Sequence, residues 1–413
     1  MNSTVQVPAR LLRVGERRAL LLLATAMLLA TTWCPPLSGN MVQAAEQPEA
    51  PSETTAPTER AAPAEAESPA DSPPAERPAP REVKLTDNIP WGQPPIDYHS
   101  TAAADPVARL DRLLASGDVS LEPAGPQGRL VPLLRLLEIP QSSQVLVFSK
   151  TSVNRKLISP ASPRAIYFND EVYVAWVEGA GSLEISAVDP TKGASFYVLP
   201  QNEQTPARFR RERSCLACHA GATSLNVPGH LVRSFVTRED GSPVSGYSRT
   251  SHETLLSRRF GGWFVTGQTG QQHHLGNLFG TEAVNGHQQE PGRYCNLDDL
   301  SALTDTSRLL TPHSDLVALL VLQHQLHGQN LLTRAGFEHL LQVRSDVMEH
   351  LIRYLLFHDE PALTEPVAGT SPFAKEFPLR ASPGPGRELR QLDLHHRLLK
   401  HRLSWLIDTA QFR

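Results

Sequence analysis

Midway along the chain, Cys215-Leu216-Ala217-Cys218-His219 sets two thiols one helical turn apart, with an imidazole directly behind them. The C-x-x-C-H spacing is the attachment signature of c-type haem. Each thiol can add to a vinyl group of the ring, and the histidine can offer a ring nitrogen to the iron as its proximal axial ligand. A fold built round this motif has to turn all three side chains toward one flat group. Three other readings compete for so short a motif: a thioredoxin-like redox pair, half of a zinc site, or coincidence.

The amino terminus favours the haem reading. Arg10, Arg13, Arg17 and Arg18 form a positive stretch, residues 19–33 are mostly apolar, and Val42-Gln43-Ala44 puts small residues where a signal peptidase cuts. The apolar run falls short of the about 20 residues that a comfortable membrane crossing takes. A cleaved signal over 1–44 is therefore expected ahead of an uncleaved N-terminal anchor. Trp33 stands where lipoprotein cleavage before Cys34 wants a small residue. Arg17-Arg18 hints at twin-arginine export, but haem c is attached outside the cytoplasm to an unfolded chain, which points to general secretion. The expected location is the periplasm or another exported compartment.

The 413 residues carry a formal net charge of −4 at pH 7, and nothing in that balance suggests nucleic acid as a partner. Residues 46–80 are almost all Pro, Ala, Glu, Ser and Thr. Such a stretch has too little apolar surface to offset the entropy of ordering it, so 45–90 is expected to be a disordered linker. The body expected over 91–413 is long enough for a large core or two packed subdomains.

Cysteine usage narrows the alternatives. Of the four cysteines, Cys34 goes with the signal and Cys215 and Cys218 with the motif, leaving Cys295 alone. A zinc site would have to recruit Cys295 or histidines, because there is no second C-x-x-C. A thioredoxin-like site usually follows a strand in a βαβ unit, whereas Arg208-Phe209-Arg210-Arg211-Glu212-Arg213 precedes this one.

The body reads as α+β. A short helix is expected over 105–115, with Asp105 as N-cap, Pro106 in the first turn and Gly117 at the end. A second is expected over 129–138. Segments 145–148, 164–168, 172–177, 183–188 and 194–199 are rich in β-branched and aromatic residues and separated by turn chemistry, which implies an antiparallel meander. A further hairpin is expected around Glu239-Asp240-Gly241 and a strand over 262–265. Thr311-Pro312 opens a helix to about residue 332. Val347, Met348, Leu351, Ile352, Leu355 and Leu356 form one apolar stripe, and a last helix with Leu392, Leu399 and Leu403 follows the loop at 382–386. The predicted architecture is thus a β-rich half (140–270) packed on a helical half (300–413), with the haem motif at their junction.

The sixth iron position is open to several residues. Of the four methionines, only Met348 lies beyond the signal, and its helical stripe gives it a packing role by default. A histidine, or water at an open position, is the better expectation. His274 follows Gly267 and Gly270 in a loop suited to close approach, and His324 shares a helix face with Leu320 and Val321; these two are the distal candidates. His327, His273, His313 and His230 are weaker ones, more simply explained as hydrogen-bonded or exposed. Arg208, Arg210, Arg211 and Arg213 suit haem propionates, an acidic redox partner, or equally a solvated basic face. Trp176 and Trp263 read as core, and Cys295 as a small buried hydrophobe.

Ser142-Ser143-Gln144-Val145-Leu146-Val147-Phe148-Ser149-Lys150-Thr151, the segments 164–176 and 183–190, the motif itself, and 227–234, 261–267 and 310–325 together resemble a family of large exported bacterial cytochrome c domain proteins. The resemblance covers most of the chain from about residue 139 onward. It implies one covalent haem c held by Cys215 and Cys218, His219 as proximal ligand, and redox work on no stated substrate. The chain departs from the family pattern at Leu275, where a methionine follows the histidine matching His274, and at Gln329, where a histidine stands. The expected function is electron transfer to a redox partner protein or a small-molecule donor or acceptor, with no membrane span once the signal is gone. The alternatives are a haem enzyme, such as a peroxidase or small-molecule oxidoreductase with an open sixth position, and a haem-based sensor.

Overall fold

The structure, a computed structural model, describes residues 79–379 except 203, 205 and 245–247. The expected export signal, most of the expected linker and the expected last helix lie outside the described residues.

A short arm, β1 (Arg81–Glu82), leads to α1 (Pro106–Ser116). The Asp105 side chain accepts the Ala108 N–H and Gly117 closes the helix in the left-handed region, as the sequence led one to expect. Helix α2 (Leu130–Leu136) follows, and then strands β2 (Val145–Val147), β3 (Arg164–Phe168), β4 (Val172–Trp176), β5 (Ser182–Asp189), β6 (Gly193–Pro200) and β7 (Arg210–Arg211). These six form one antiparallel sheet in chain order. Burial alternates strictly along β5, which is the period of a strand with one face in a core. Leu183, Ile185, Ala187, Tyr197 and Leu199 pack with α1 and α2 in one hydrophobic cluster.

The opposite sheet face meets the rest of the chain. Helix α3 (Leu216–His219) carries the motif, β8 (Val232–Ser234) and β9 (Ser248–Thr250) pair antiparallel, and α4 is Gly280–Gln289. The long helix α5 (Leu316–Leu341) is followed by β10 (Val343–Arg344), α6 (Val347–Leu355) and α7 (Phe373–Leu379). A second cluster joins Val145, Val147, Phe168 and Tyr173 of the sheet to Phe260, Trp263 and residues 316–322 of α5. The first turns of α5 are buried all round, as befits a helix threaded through a core. Parallel pairing of β1 with β10 ties the N-terminal arm to the C-terminal part. Among the described residues no helix is long and apolar enough to cross a membrane.

Three details differ from expectation. Helix α5 begins at Leu316 rather than near Pro312, because the Asp315 carboxylate caps it by accepting the N–H groups of Val317 and Ala318 at 2.8 and 3.1 Å. Residues 262–265 run beside β2 but make only one isolated bridge, Val147 with Trp263. The stripe on α6 is divided: Val347 and Leu351 are buried, whereas Met348 and Ile352 are 39% and 49% exposed.

Candidate functional site

The motif follows the edge strand β7 directly. Glu212 turns the chain by accepting the Ser214 backbone N–H at 3.1 Å and the Ser214 hydroxyl at 2.7 Å. A single 3-10 turn (Arg213–Cys215) then runs into α3. Cys215 is half-buried, Cys218 is exposed, and both thiols are unpaired. Burial first, then the charges of Glu212 and Glu184, push the Cys215 thiol up to about 11. Dithiol redox centres need the opposite, a thiol lowered toward its thiolate. The motif also follows an antiparallel edge strand rather than a parallel βαβ crossover. Among the described residues no group of three or more His, Cys, Asp or Glu is arranged to hold a metal ion.

His219 is held in one tautomer. Its Nδ1 lies 3.0 Å from the Gly229 carbonyl, and a carbonyl only accepts, so Nδ1 carries the proton and Nε2 keeps a lone pair. Burial, with smaller contributions from Arg233 and Arg164, lowers its pKa to about 4, so the ring is neutral at pH 7. A neutral imidazole whose far nitrogen is tied to a carbonyl is the usual state of a histidine that ligates a metal. Phe196 of β6 packs against the ring, with centroids 4.8 Å apart.

The support extends to the helical half. Gly229 returns its N–H to the His219 carbonyl at 2.8 Å, and a Cβ on Gly229 would sit 2.3 Å from Asn330 Oδ1. That oxygen accepts the His230 N–H at 2.9 Å, and Asn330 Nδ2 donates to the His230 carbonyl at 2.6 Å. Pro228 accepts the Ala194 N–H at 2.9 Å. The segment that orients the imidazole is therefore clamped between the sheet and α5. The residues fit a covalently attached ring: two free thiols one turn apart, and a neutral imidazole with its free nitrogen set by geometry.

The distal candidates lie elsewhere. His274 accepts the Gly276 N–H on Nδ1 at 3.0 Å and meets Phe260 edge-on at 5.9 Å. Burial, then His287 and His273, lowers its pKa to about 3. His324 has both nitrogens engaged, Nδ1 at 3.0 Å from the Tyr354 hydroxyl and Nε2 at 3.2 Å from Glu360 Oε2. Neither touches the motif. His230 does lie beside it, packed on Tyr173 at 4.7 Å with Nε2 on the Ser186 hydroxyl at 3.0 Å. His327 accepts from Arg249, His313 bonds the Asp298 carbonyl, and His273 packs on His287. Cys295 is buried, and so are Trp176 and Trp263. Within the arginine group, Arg208 pairs with Asp111, Arg210 with Glu212, and Arg211 lies over the Tyr98 ring. Gly229, Asn330 and Phe196 escaped the reading of the sequence. The glycine beside His230 was the one local signal.

Comparison of the chain with protein-family models, with curated proteins and with solved structures returns no match.

Proposed function

We propose that this chain is an exported c-type cytochrome holding one haem through Cys215, Cys218 and His219 and passing single electrons to a redox partner. The observation that carries the reading is the His219 ring, neutral and bonded through Nδ1 to the Gly229 carbonyl, which leaves Nε2 as a ready ligand beside two free thiols. A covalently held haem supplies one-electron chemistry at its iron. Cys215 and Cys218 anchor the ring, His219 fixes its orientation, and the Gly229 carbonyl makes the imidazole a stronger donor. Phe196 shields one side of that imidazole from water.

A second reading, a haem oxidoreductase with an exchangeable sixth position, is favoured by one observation: His274 and His324 are both committed to partners away from the motif. Ligation by His324 would cost its bond to Glu360 or to Tyr354.

The test is a pyridine haemochrome assay on the chain exported from a host with haem-attachment machinery. A c-type spectrum with one haem per chain, lost in Cys215→Ala/Cys218→Ala, is expected. A chain that leaves such a host without haem sinks the proposal. Carbon monoxide then separates the two readings. A low-spin haem indifferent to it marks the carrier, and ready binding by the ferrous form marks the oxidoreductase.

A further inference from the structure

Helices α5 and α6 form an antiparallel pair joined by a short connection. Tyr354 of α6 reaches back to the middle of α5 and donates to the His324 carbonyl at 2.5 Å, and Leu331 of α5 packs with Val347, Leu351 and Tyr354 in one cluster. One side of this pair is apolar and uncovered. Met348 and Ile352 recur one turn apart on α6, Leu356 follows one turn later at 70% exposed, and Leu332 on α5 is 36% exposed. Successive residues turn by about 100° round a helix. Leu332 is one step past the contact residue Leu331, and Ile352 is one step past Leu351. Because the helices run in opposite directions, those two steps carry both side chains to the same side of the pair. Of the large apolar side chains exposed among the described residues, half lie on these two helices. A row at helical spacing differs from the single exposed residues that any surface carries, and marks a face that something covers.

The chain carries a matching row beyond the described residues. From Arg387 to Ile407 the sequence sets Leu389, Leu392, Leu399, Leu403 and Leu406 at helical spacing, with charged and polar residues among them. A row of that kind needs an apolar partner, and a groove beside two packed helices is the shape that suits it. Charge agrees with this pairing. The stretch holds five Arg and Lys against one Asp and one Glu, while Glu349 is exposed beside the row on α6. The one arginine on α6, Arg353, has its charge met by Asp359 at 2.7 Å. The reach is also sufficient. Phe373 and Phe377 of α7 pack in the cluster that Phe357 borders, so the last described helix lies near the end of the row at Leu356. Residues 380–388 can span roughly 30 Å when extended.

We propose that residues 389–406 form a helix that docks on the exposed row of Leu332, Met348, Ile352 and Leu356, closing the open side of the α5–α6 pair. The proposal goes beyond the haem reading and does not rest on it, since none of these residues belongs to the motif or its clamp. The test is hydrogen exchange read by mass spectrometry on the full chain, beside residues 387–413 as a free peptide. Exchange over 389–406 is expected to be slowed roughly tenfold or more in the chain, and to return to the peptide's rate in Ile352→Asn. Leu356→Asn, at the most exposed position of the row, gives the same return and serves as the second variant should the first disturb α6. Peptide-like exchange in the unaltered chain overturns the proposal, as does slowing that both variants leave intact. Slowing that disappears on dilution puts the segment on a second copy of the chain, and slowing seen only with vesicles of anionic lipid puts it on a membrane; either result overturns the proposal.

Discussion

At the scale of single residues, the geometry of His219 depends on a side chain far away in sequence. Asn330 satisfies both backbone groups of His230, and that segment presents the Gly229 carbonyl to the imidazole. Asn330→Ala removes two buried hydrogen bonds and leaves their partners unmet, a loss of about 2 kcal/mol. The check is the midpoint of urea unfolding, which should move down at unchanged slope. Gly229 has no room for a substitute, because a Cβ would strike the same amide. None of this was visible in the sequence. C-x-x-C-H shows its two thiols and its imidazole within five residues, but the amide that fixes that imidazole is a long-range contact with no periodicity to betray it. His274 and His324 drew attention for the same reason: a sequence shows that a histidine exists, not which partners its nitrogens have already taken.

At the scale of elements, the start of α5 is set by one buried carboxylate. Asp315 accepts two N–H groups of the first turn and also the Ser371 N–H at 2.7 Å. Asp315→Ala should therefore cost about 2 kcal/mol or more, an N-cap of about 1 plus a buried amide left unpaired. Thermal unfolding followed by circular dichroism measures it. Thr311-Pro312 looked like the better helix start because Pro favours a first turn, and only the packing of 367–371 over Asp315 shows which cap prevails. The strands were far more legible: β3 lies at its expected bounds, and β2, β4, β5 and β6 within one residue, since β-branched runs between strong turns leave little choice. The stripe on α6 was legible as apolar but not as to which part of it would be covered. Periodicity gives a face and says nothing of the width of what lies against it.

At the scale of the whole molecule, histidines buried in the neutral form make folding sensitive to acid. Burial lowers His219 and His252 to about 4 and His230 and His274 to about 3. Below about pH 6.5 the unfolded chain takes up protons that the folded chain refuses, so stability falls as pH drops from about 6.5 toward 4. Each such group contributes at most about 1.4 kcal/mol per pH unit in that window. Asp105 and Asp315, both raised by burial, act in the opposite sense, but two carboxyls do not cancel four histidines. The melting temperature is expected to fall steadily between pH 6.5 and 4.5; a flat profile would contradict the buried neutral rings.

Arg334 gives this architecture an order in time. Fully buried on α5, it pairs with Glu338 at 2.6 Å and donates to the carbonyls of Leu225, Asp87 and Lys84. Together with Asn330 it locks the loop behind the motif to a helix that lies 100 residues further along the chain. A polypeptide is made from its amino terminus, so the thiols of Cys215 and Cys218 exist well before the helix that closes the loop behind them. Until α5 arrives, the hydrogen bonds from Asn330 and Arg334 that hold the segment behind the motif have no donors or acceptors to form them. Once it arrives, the Gly229 carbonyl is held in place and the His219 imidazole with it. The late position of α5 thus means that the segment behind Cys215 and Cys218 acquires its fixed geometry only when the last third of the chain is in place.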